Sequence, residues 1–295
     1  MMLPVNRRQL FTLALFSPFL ASSKTPKKRA LPKIGMGTWI TFNIGDNKEA
    51  FKQREKVLKE FFSQGGGLID SSPMYGSSEK VLGLLLPRVK EHQDKLISAS
   101  KVWTSSTSMG PKQVQNSLHL WGLNKFDLFQ VHNLLNWKDH LKTLNEMKDS
   151  GKIHSIGITT SHGRRHKELI EVMRTHPLDY IQVTYNVLDR EVEKEILPLA
   201  KEKGIRVIAN RPYQGGPLIK ELKKKKLPSW AKEMELETWA QVLLKFITSH
   251  PALDCAIPAT TQVEHMRENM QARLGKQLTS SQREKISQEI SKLWS

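Results

Sequence analysis

A single cysteine, Cys255, stands among the 295 residues. No disulfide can close within the chain, and the apolar run 253–258 around this thiol reads as buried filler. Long hydrophobic runs are missing too. The amino-terminal apolar stretch, Leu10 to Ala21, has 12 residues and contains Pro18, short of the roughly 20 needed to cross a hydrocarbon core. A Gly-x-Gly-x-x-Gly turn is absent: Gly35-Met36-Gly37 is followed by Ile40 where the third glycine belongs, which argues against an open dinucleotide-binding sheet. The spacing His162-Gly163-Arg164-Arg165-His166 has no Glu after its first His, and two arginines are poor surroundings for a metal, so no metal site is expected. Negative charge is scarce, with 29 acidic against 46 basic residues and a formal charge of +17. Such a surface attracts polyanions, acidic substrates or anionic lipids. The dense basic run, Lys223 to Lys226, has Pro228 and Trp230 beside it but no nucleic-acid module around it. It reads as a solvated loop, and no specific nucleic-acid partner is expected.

Hydrophobic residues make up 38% of the chain and charged ones 25%, with seven Trp spread along it, which is the composition of a globular protein. Its amino terminus has a different character. Asn6-Arg7-Arg8 precedes the apolar stretch, and Lys24-Thr25-Pro26-Lys27-Lys28 follows it, the order of an export signal. The pair Arg7-Arg8 resembles the twin-arginine type, with Asn6 where Ser or Thr is more usual. Ala21 and Ser23 are placed for cleavage before Lys24. The expected organisation is therefore an export signal over 1–23, a basic linker over 24–31 and a folded body over 32–295. An uncleaved anchor and an ordinary secretory signal are the alternatives. The expected location is the periplasm or another compartment outside the cytoplasm, reached from a cytoplasmic precursor by transient contact with export machinery.

From Lys33 onward, short β-rich runs alternate with amphipathic stretches. The runs cover 33–39, 68–72, 96–103, 127–133, 155–160, 180–186, 206–212 and 255–260. Helical periodicity marks 49–64, 111–121, 139–148, 191–203, 238–249 and 262–274 between them, several ending at a glycine such as Gly65, Gly151 or Gly204. Continuously apolar strands separated by helices imply a parallel sheet buried on both faces. Eight such units favour an α/β fold of the closed (β/α)8 TIM-barrel kind. The helical pattern over 279–294 follows the eighth unit and predicts an extra carboxy-terminal helix.

In such a barrel, chemistry gathers where strands end. Asp70 and Tyr75 close the second run, Lys101 the third and His132 the fourth. Taken singly, each has an ordinary structural reading as a cap, a rim charge or a hydrogen-bonded residue at the edge of the core. Together they share a chemistry. A phenol with a pKa of about 10 is a reluctant acid, and an ammonium beside it favours the phenolate. Lys101 supplies that charge, Asp70 holds Lys101, and His132 can donate to a carbonyl oxygen. Hydride has to come from a nicotinamide.

The pieces Gly35-Met-Gly-Thr-Trp, Leu68-Ile-Asp-Ser-Ser-Pro-Met-Tyr-Gly, Lys101-Val-Trp, Asp127-Leu-Phe-Gln-Val-His-Asn, Gly151-Lys-Ile-His-Ser-Ile-Gly-Ile-Thr and Ile257-Pro-Ala-Thr-Thr stand in order. From Pro32 to Asn269 the chain resembles the aldo-keto reductases. The resemblance implies an NAD(P)H-dependent reduction of an aldehyde or ketone, with Tyr75 as proton donor in a tetrad with Asp70, Lys101 and His132. The competing reading is a nucleotide-binding barrel serving as a redox-sensing or assembly subunit without turnover. The resemblance further implies cofactor contacts at Gly37, Thr38, Trp39 and Gln182. Thr159 and Thr160 replace the family's Ser-Asn, and Asn210, with Arg211 and Pro212 after it, stands where a tyrosine often stacks, leaving Tyr213 as a substitute. The lysine and arginine of the usual 2′-phosphate clamp align with Ala259 and His265, so Thr260, Thr261 and Arg267 remain as phosphate partners, and Glu268-Asn269 match the adenine-side pair. NADP(H) is the implied cofactor, with NAD(H) as the alternative. Trp39, Trp103 and His132 are expected to line an aromatic substrate pocket for a small carbonyl compound, in a monomer.

The signal reading predicts that replacing Arg7 and Arg8 together by Lys retains a folded, nucleotide-binding precursor in the cytoplasm, because twin-arginine export carries folded proteins. Fractionation with amino-terminal sequencing checks this. Export of the double variant at the wild-type level means that the segment is a general secretory signal instead.

Overall fold

Strands covered on both faces must be apolar along their length, and the stretches Ile97–Val102 and Tyr180–Thr184 are buried at every residue. The computed structural model describes residues 30–294. The expected export segment and nearly all of the expected linker lie outside the described residues. Eight strands, β1 (Met36–Gly37), β2 (Leu68–Asp70), β3 (Ile97–Val102), β4 (Phe126–Val131), β5 (Ile153–Thr159), β6 (Tyr180–Thr184), β7 (Arg206–Asn210) and β8 (Cys255–Ala256), pair in sequence order. Every pairing is parallel. The ends of the sheet meet through a parallel bridge between Ile34 and Ala256. The Gly35 amide donates to the Ala256 carbonyl at 2.8 Å and the Gly37 amide to that of Pro258 at 3.0 Å. The fold is a (β/α)8 barrel, as the alternation predicts.

The two outermost strands are shorter than the runs 33–39 and 255–260. Pro258 has no N–H to extend a ladder, and beyond Gly37 the chain turns, with Ile40 at φ 63°. The stretch 191–203 is also not one helix. A 3-10 turn, Glu191–Glu193, is separated from the helix Ile196–Glu202 by Glu195 at φ −137°. Pro198 lies in that helix's first turn, where a missing N–H leaves no bond unmade. Close approach between β5 and β6 requires a glycine: a Cβ on Gly157 would come within 2.7 Å of the Tyr180 carbonyl oxygen.

Inside the barrel, Leu68, Ile97, Ala99, Leu128, Tyr180, Ile208 and Cys255 form an apolar plug. Cys255 is buried there as filler, and burial pushes its thiol pKa up. The opposite strand faces pack against the surrounding helices in the main core. The helix Ser280–Trp294 is the extra helix expected over 279–294. Ile286 and Ile290 are buried, and so is Arg283. The Arg283 guanidinium donates to the Phe246 carbonyl at 3.0 Å, to Glu193 at 2.8 Å and to the Tyr185 hydroxyl. Arg190 joins by pairing with both Glu193 and Glu284 at 2.8 Å.

Burial works to raise the pKa of Glu193, but Arg190, Tyr185 and Arg283 outweigh it and bring it down to about 2. We expect Arg283→Met to lower the unfolding free energy by about 3 kcal/mol at pH 7 in urea denaturation, near the low end for breaking a buried pair because Arg190 stays with the carboxylate. A carboxylate with a depressed folded pKa contributes stability above its unfolded value near 4.3 and loses it as pH falls towards 2. The gap between variant and wild type should therefore narrow in acid.

Candidate active site

At the carboxyl end of the barrel the inward side chains change from apolar to polar. Lys101 lies two residues beyond the plug residue Ala99 on β3 and thus points to the same interior face. Its ammonium is fully buried and has three donors. They reach Asp70 Oδ2 at 2.6 Å, the Ser71 carbonyl at 2.8 Å and the Tyr75 hydroxyl at 3.3 Å. Asp70 is the last residue of β2, and its second oxygen accepts from Gln182 Nε2 at 2.9 Å and Gln130 Nε2 at 3.3 Å. Burial opposes the Lys101 charge, yet Asp70 and Tyr75 more than offset it and hold the ammonium above its ordinary pKa. The lysine is charged at any physiological pH.

Tyr75 ends a short 3-10 turn, Pro73–Tyr75, whose start is capped by the Ser72 hydroxyl. Its ring meets that of His132 edge to face, with centroids 5.8 Å apart. The sequence predicts a phenol pulled towards phenolate by Lys101. Lys101 does pull that way, through its charge and its hydrogen bond, but burial raises the Tyr75 pKa by more and Asp70 adds to it, so the net direction is up. Tyr75 is a neutral phenol in the resting site.

His132 follows β4 directly. Burial and the nearby Lys101 charge lower its pKa to about 3, so the ring is neutral. Ser72 Oγ lies 3.0 Å from His132 Nδ1 and also accepts the Met74 amide at 3.2 Å. Nδ1 is the one acceptor bonded to this buried hydroxyl, so we assign Ser72 as the donor, which leaves the ring proton on Nε2.

Above these groups opens a cavity of about 470 Å³, whose walls include Asp70, Tyr75 and His132. Of the candidate cofactor residues, Gly37, Thr38, Trp39, Thr159, Gln182, Asn210, Arg211, Pro212, Tyr213 and Ala259 also line it. Thr160 sits behind the wall, buried, with its hydroxyl unpartnered. Asn210 is committed to its neighbours: Nδ2 donates to the Thr160 carbonyl at 2.9 Å, and Oδ1 accepts from Thr184 at 2.8 Å. The Tyr213 hydroxyl donates to Asn269 at 2.6 Å, so Tyr213 is anchored to the helix Val263–Gln271 and not free to swing.

Several candidates lie elsewhere. Trp103 is exposed and does not line the cavity; its backbone is bonded in both directions to the Gln113 side chain on the helix Met109–Trp121. Thr260, Thr261, His265, Glu268 and Asn269 continue beyond the cavity's Ala259 edge, on the turn after β8 and the helix that follows. Arg267 is paired with Glu60 at 2.8 Å, which engages the cation considered as a phosphate partner. His265 is exposed, and Lys223 Nζ approaches its Nε2 at 2.9 Å, so the first lysine of the run read as a solvated loop reaches this strip. His162 sits in a loop at φ 61° while His166 opens the helix His166–Thr175, so the two do not share a helical face. Reasoning from sequence missed Ser72 and Gln130, which stand inside the quoted motifs, and the lining residues His162 and Arg164, which follow the fifth strand. Position after a strand was the signal available for the last two.

A family model described as the Aldo/keto reductase family matches residues 33–290. Methylglyoxal reductase YeaE of Escherichia coli (strain K12) is 26% identical over 247 residues, covering 81% of this chain and 84% of that protein. An NADH-specific methylglyoxal reductase of the same organism is 25% identical over 304 residues, covering 82% and 90%. Among solved structures, an aldo/keto reductase from Klebsiella pneumoniae in complex with NADP and acetate superposes with a TM-score of 0.75 at 23% identity, covering 88% of this chain and 92% of that one.

The neutral, Ser72-held imidazole generates a spectroscopic expectation. Nitrogen-15 spectra of wild type should show His132 uncharged between about pH 5 and 8, as the Nε2-protonated tautomer. Ser72→Ala should keep it uncharged but admit the other tautomer. A wild-type His132 that titrates near 6.5 contradicts the assignment.

Proposed function

The chain belongs to the aldo/keto reductase family, and from that premise we propose that it is an NADP(H)-dependent reductase of aldehydes or ketones in which Tyr75 gives up the proton. The observation that carries this reading is the Lys101 ammonium, buried with all three donors engaged, one of them on the Tyr75 hydroxyl. A neutral phenol can donate a proton, and a fixed ammonium 3.3 Å away stabilises the phenolate left behind. Asp70 keeps that ammonium charged and in place. His132 Nε2–H donates to the carbonyl oxygen and orients it towards Tyr75, so that proton transfer accompanies the growth of negative charge on that oxygen. The carbonyl carbon gains a hydride and its oxygen a proton, giving an alcohol.

The walls fit a nicotinamide nucleotide. A Cβ on Gly37 would meet the Ile257 carbonyl at 3.0 Å, a Cβ on Gly216 would meet nothing, and Thr160 keeps an unpartnered buried hydroxyl close by. Gly37, Thr38, Thr159 and Gln182 would line the nicotinamide end, and Arg211 with the backbone around Tyr213 would face the phosphates. When bound there, the nucleotide supplies the hydride that no side chain can. NADP(H) is favoured by the nucleotide in the Klebsiella pneumoniae complex, while the NADH-specific relative keeps NAD(H) as the alternative. Trp39, Ile40 and Met74 are exposed at the cavity itself, in keeping with a small carbonyl substrate that enters through an apolar mouth. The segment 1–23 supports export as a further part of this reading.

Oxidation of NADPH or NADH at 340 nm across a panel of aldehydes and ketones tests the function. We expect Tyr75→Phe to lose carbonyl reduction by at least about a hundredfold, the range for a positioned acid, while nucleotide affinity stays within about twofold by fluorescence titration. Near-wild-type turnover in Tyr75→Phe removes the assignment. Nucleotide binding without carbonyl-dependent oxidation in wild type favours the non-catalytic barrel.

A further inference from the structure

We propose that the carbonyl substrate carries an anionic group, a carboxylate or a phosphate, and that Arg164 anchors it. The inference rests on the reductase reading and adds the substrate class to it.

The loop between β5 and the helix His166–Thr175 is exposed but tied to its neighbours at two points. The His162 amide donates to Thr184 Oγ1 at 2.9 Å, and the Ser161 hydroxyl is 2.9 Å from His162 Nδ1. Arg165 binds Glu168 through two nitrogens and donates to the Asn133 carbonyl at 2.6 Å. That last bond ties the loop to the residue next to His132, so the loop forms the wall on the side that orients the carbonyl. Arg164 differs from its neighbours. Arg164 is exposed at the rim of the cavity, which it helps to line; its amide bonds the Ser161 carbonyl at 3.3 Å, but among the described residues its guanidinium has no hydrogen bond or ion pair.

The charge of the cavity points the same way. Among the lining residues Asp70 is the one carboxylate, and its two oxygens are taken by Lys101, Gln182 and Gln130. Arg164 and Arg211 both act on His162, where burial first and then these two cations depress the pKa, against Asp189. The cavity therefore holds two cationic side chains and no unpaired negative charge. Arg211 belongs to the turn after β7, and its guanidinium already donates to the Gln214 carbonyl at 3.0 Å. It serves the nucleotide phosphates. Arg164, on the His132 side, is left for the substrate, and a guanidinium facing a carboxylate or phosphate makes a two-pronged, charge-assisted contact.

The test pairs 4-carboxybenzaldehyde with 4-methylbenzaldehyde, and glyceraldehyde 3-phosphate with glyceraldehyde, on the NADPH-loaded full chain. Wild type should favour one charged partner by about tenfold or more in kcat/KM, chiefly through KM, a factor equivalent to about 1.4 kcal/mol. Which pair shows the effect distinguishes carboxylate from phosphate. In Arg164→Met that preference should fall at least about tenfold, and Arg164→Lys should restore part of it. Calorimetric titration of the two charged aldehydes into wild type and Arg164→Met reads the same anchor without turnover. Equal kcat/KM within both pairs in wild type overturns the proposal, as does an unchanged preference in Arg164→Met. A variant that instead weakens NADPH binding and leaves the preference intact assigns Arg164 to the nucleotide and also overturns it. If no aldehyde is reduced at all, the reductase reading fails, and the calorimetric arm still decides whether Arg164 holds the anion.

Discussion

A charged ammonium with no exposed surface, Lys101, is the constraint around which the upper half of the barrel is arranged. Removing such an ion from water is unfavourable by several kcal/mol, and that is offset when an opposite charge and further acceptors meet every donor. Here Asp70, the Ser71 carbonyl and Tyr75 do so. Asp70 in turn needs partners for its second oxygen, which explains why Gln130 on β4 and Gln182 on β6 turn inward instead of continuing the apolar plug. One buried cation thus fixes side chains on three other strands and holds the hydroxyl that the proposed chemistry uses.

That network requires strands whose relative positions do not drift. The barrel closes through Gly35, Gly37 and the 256–258 segment, and the plug below the polar layer packs side chains from strands all round the interior. Outside, the helix Ser280–Trp294 is joined through Arg283 to Tyr185 and Glu193, just past the end of β6. Ser72 and Arg165 continue the same logic at the rim. The first holds the ring of His132, and the second bonds the turn after β4 to the loop after β5. Rigid walls limit the side chains free to meet a ligand, and the unpaired guanidinium of Arg164 gains its meaning from that.

The excess of basic residues has two separable consequences. Most of the cations are surface groups, several paired locally, as Lys52 with Glu49 and Lys224 with Glu221. Such pairs contribute little to stability, and their sum biases the surface towards anionic ligands. At the cavity wall the same bias becomes specific, because Arg164 and Arg211 line it with the one lining carboxylate already neutralised.

Local pattern determined much of this protein. Continuous apolar runs at 97–102 and 180–184, alternating with helical periodicity, specify parallel strands and an eight-unit barrel, because burial on both faces leaves a signature readable within five or six residues. Asp70, Tyr75, Lys101 and His132 were legible as a set because strand ends in a parallel barrel converge on one face. What each side chain does there was decided by contacts between residues far apart in the chain. Burial outweighs Lys101 at the Tyr75 phenol, a balance set by how deeply the ring sits. Ser72 reaches His132 across 60 positions and Gln182 reaches Asp70 across 112. Gln113 holds the Trp103 backbone, and Lys223 meets His265 across 42 positions. No periodicity encodes such pairings, since they depend on which loops the closed barrel brings within hydrogen-bonding distance, and that is fixed once the strands have taken their register.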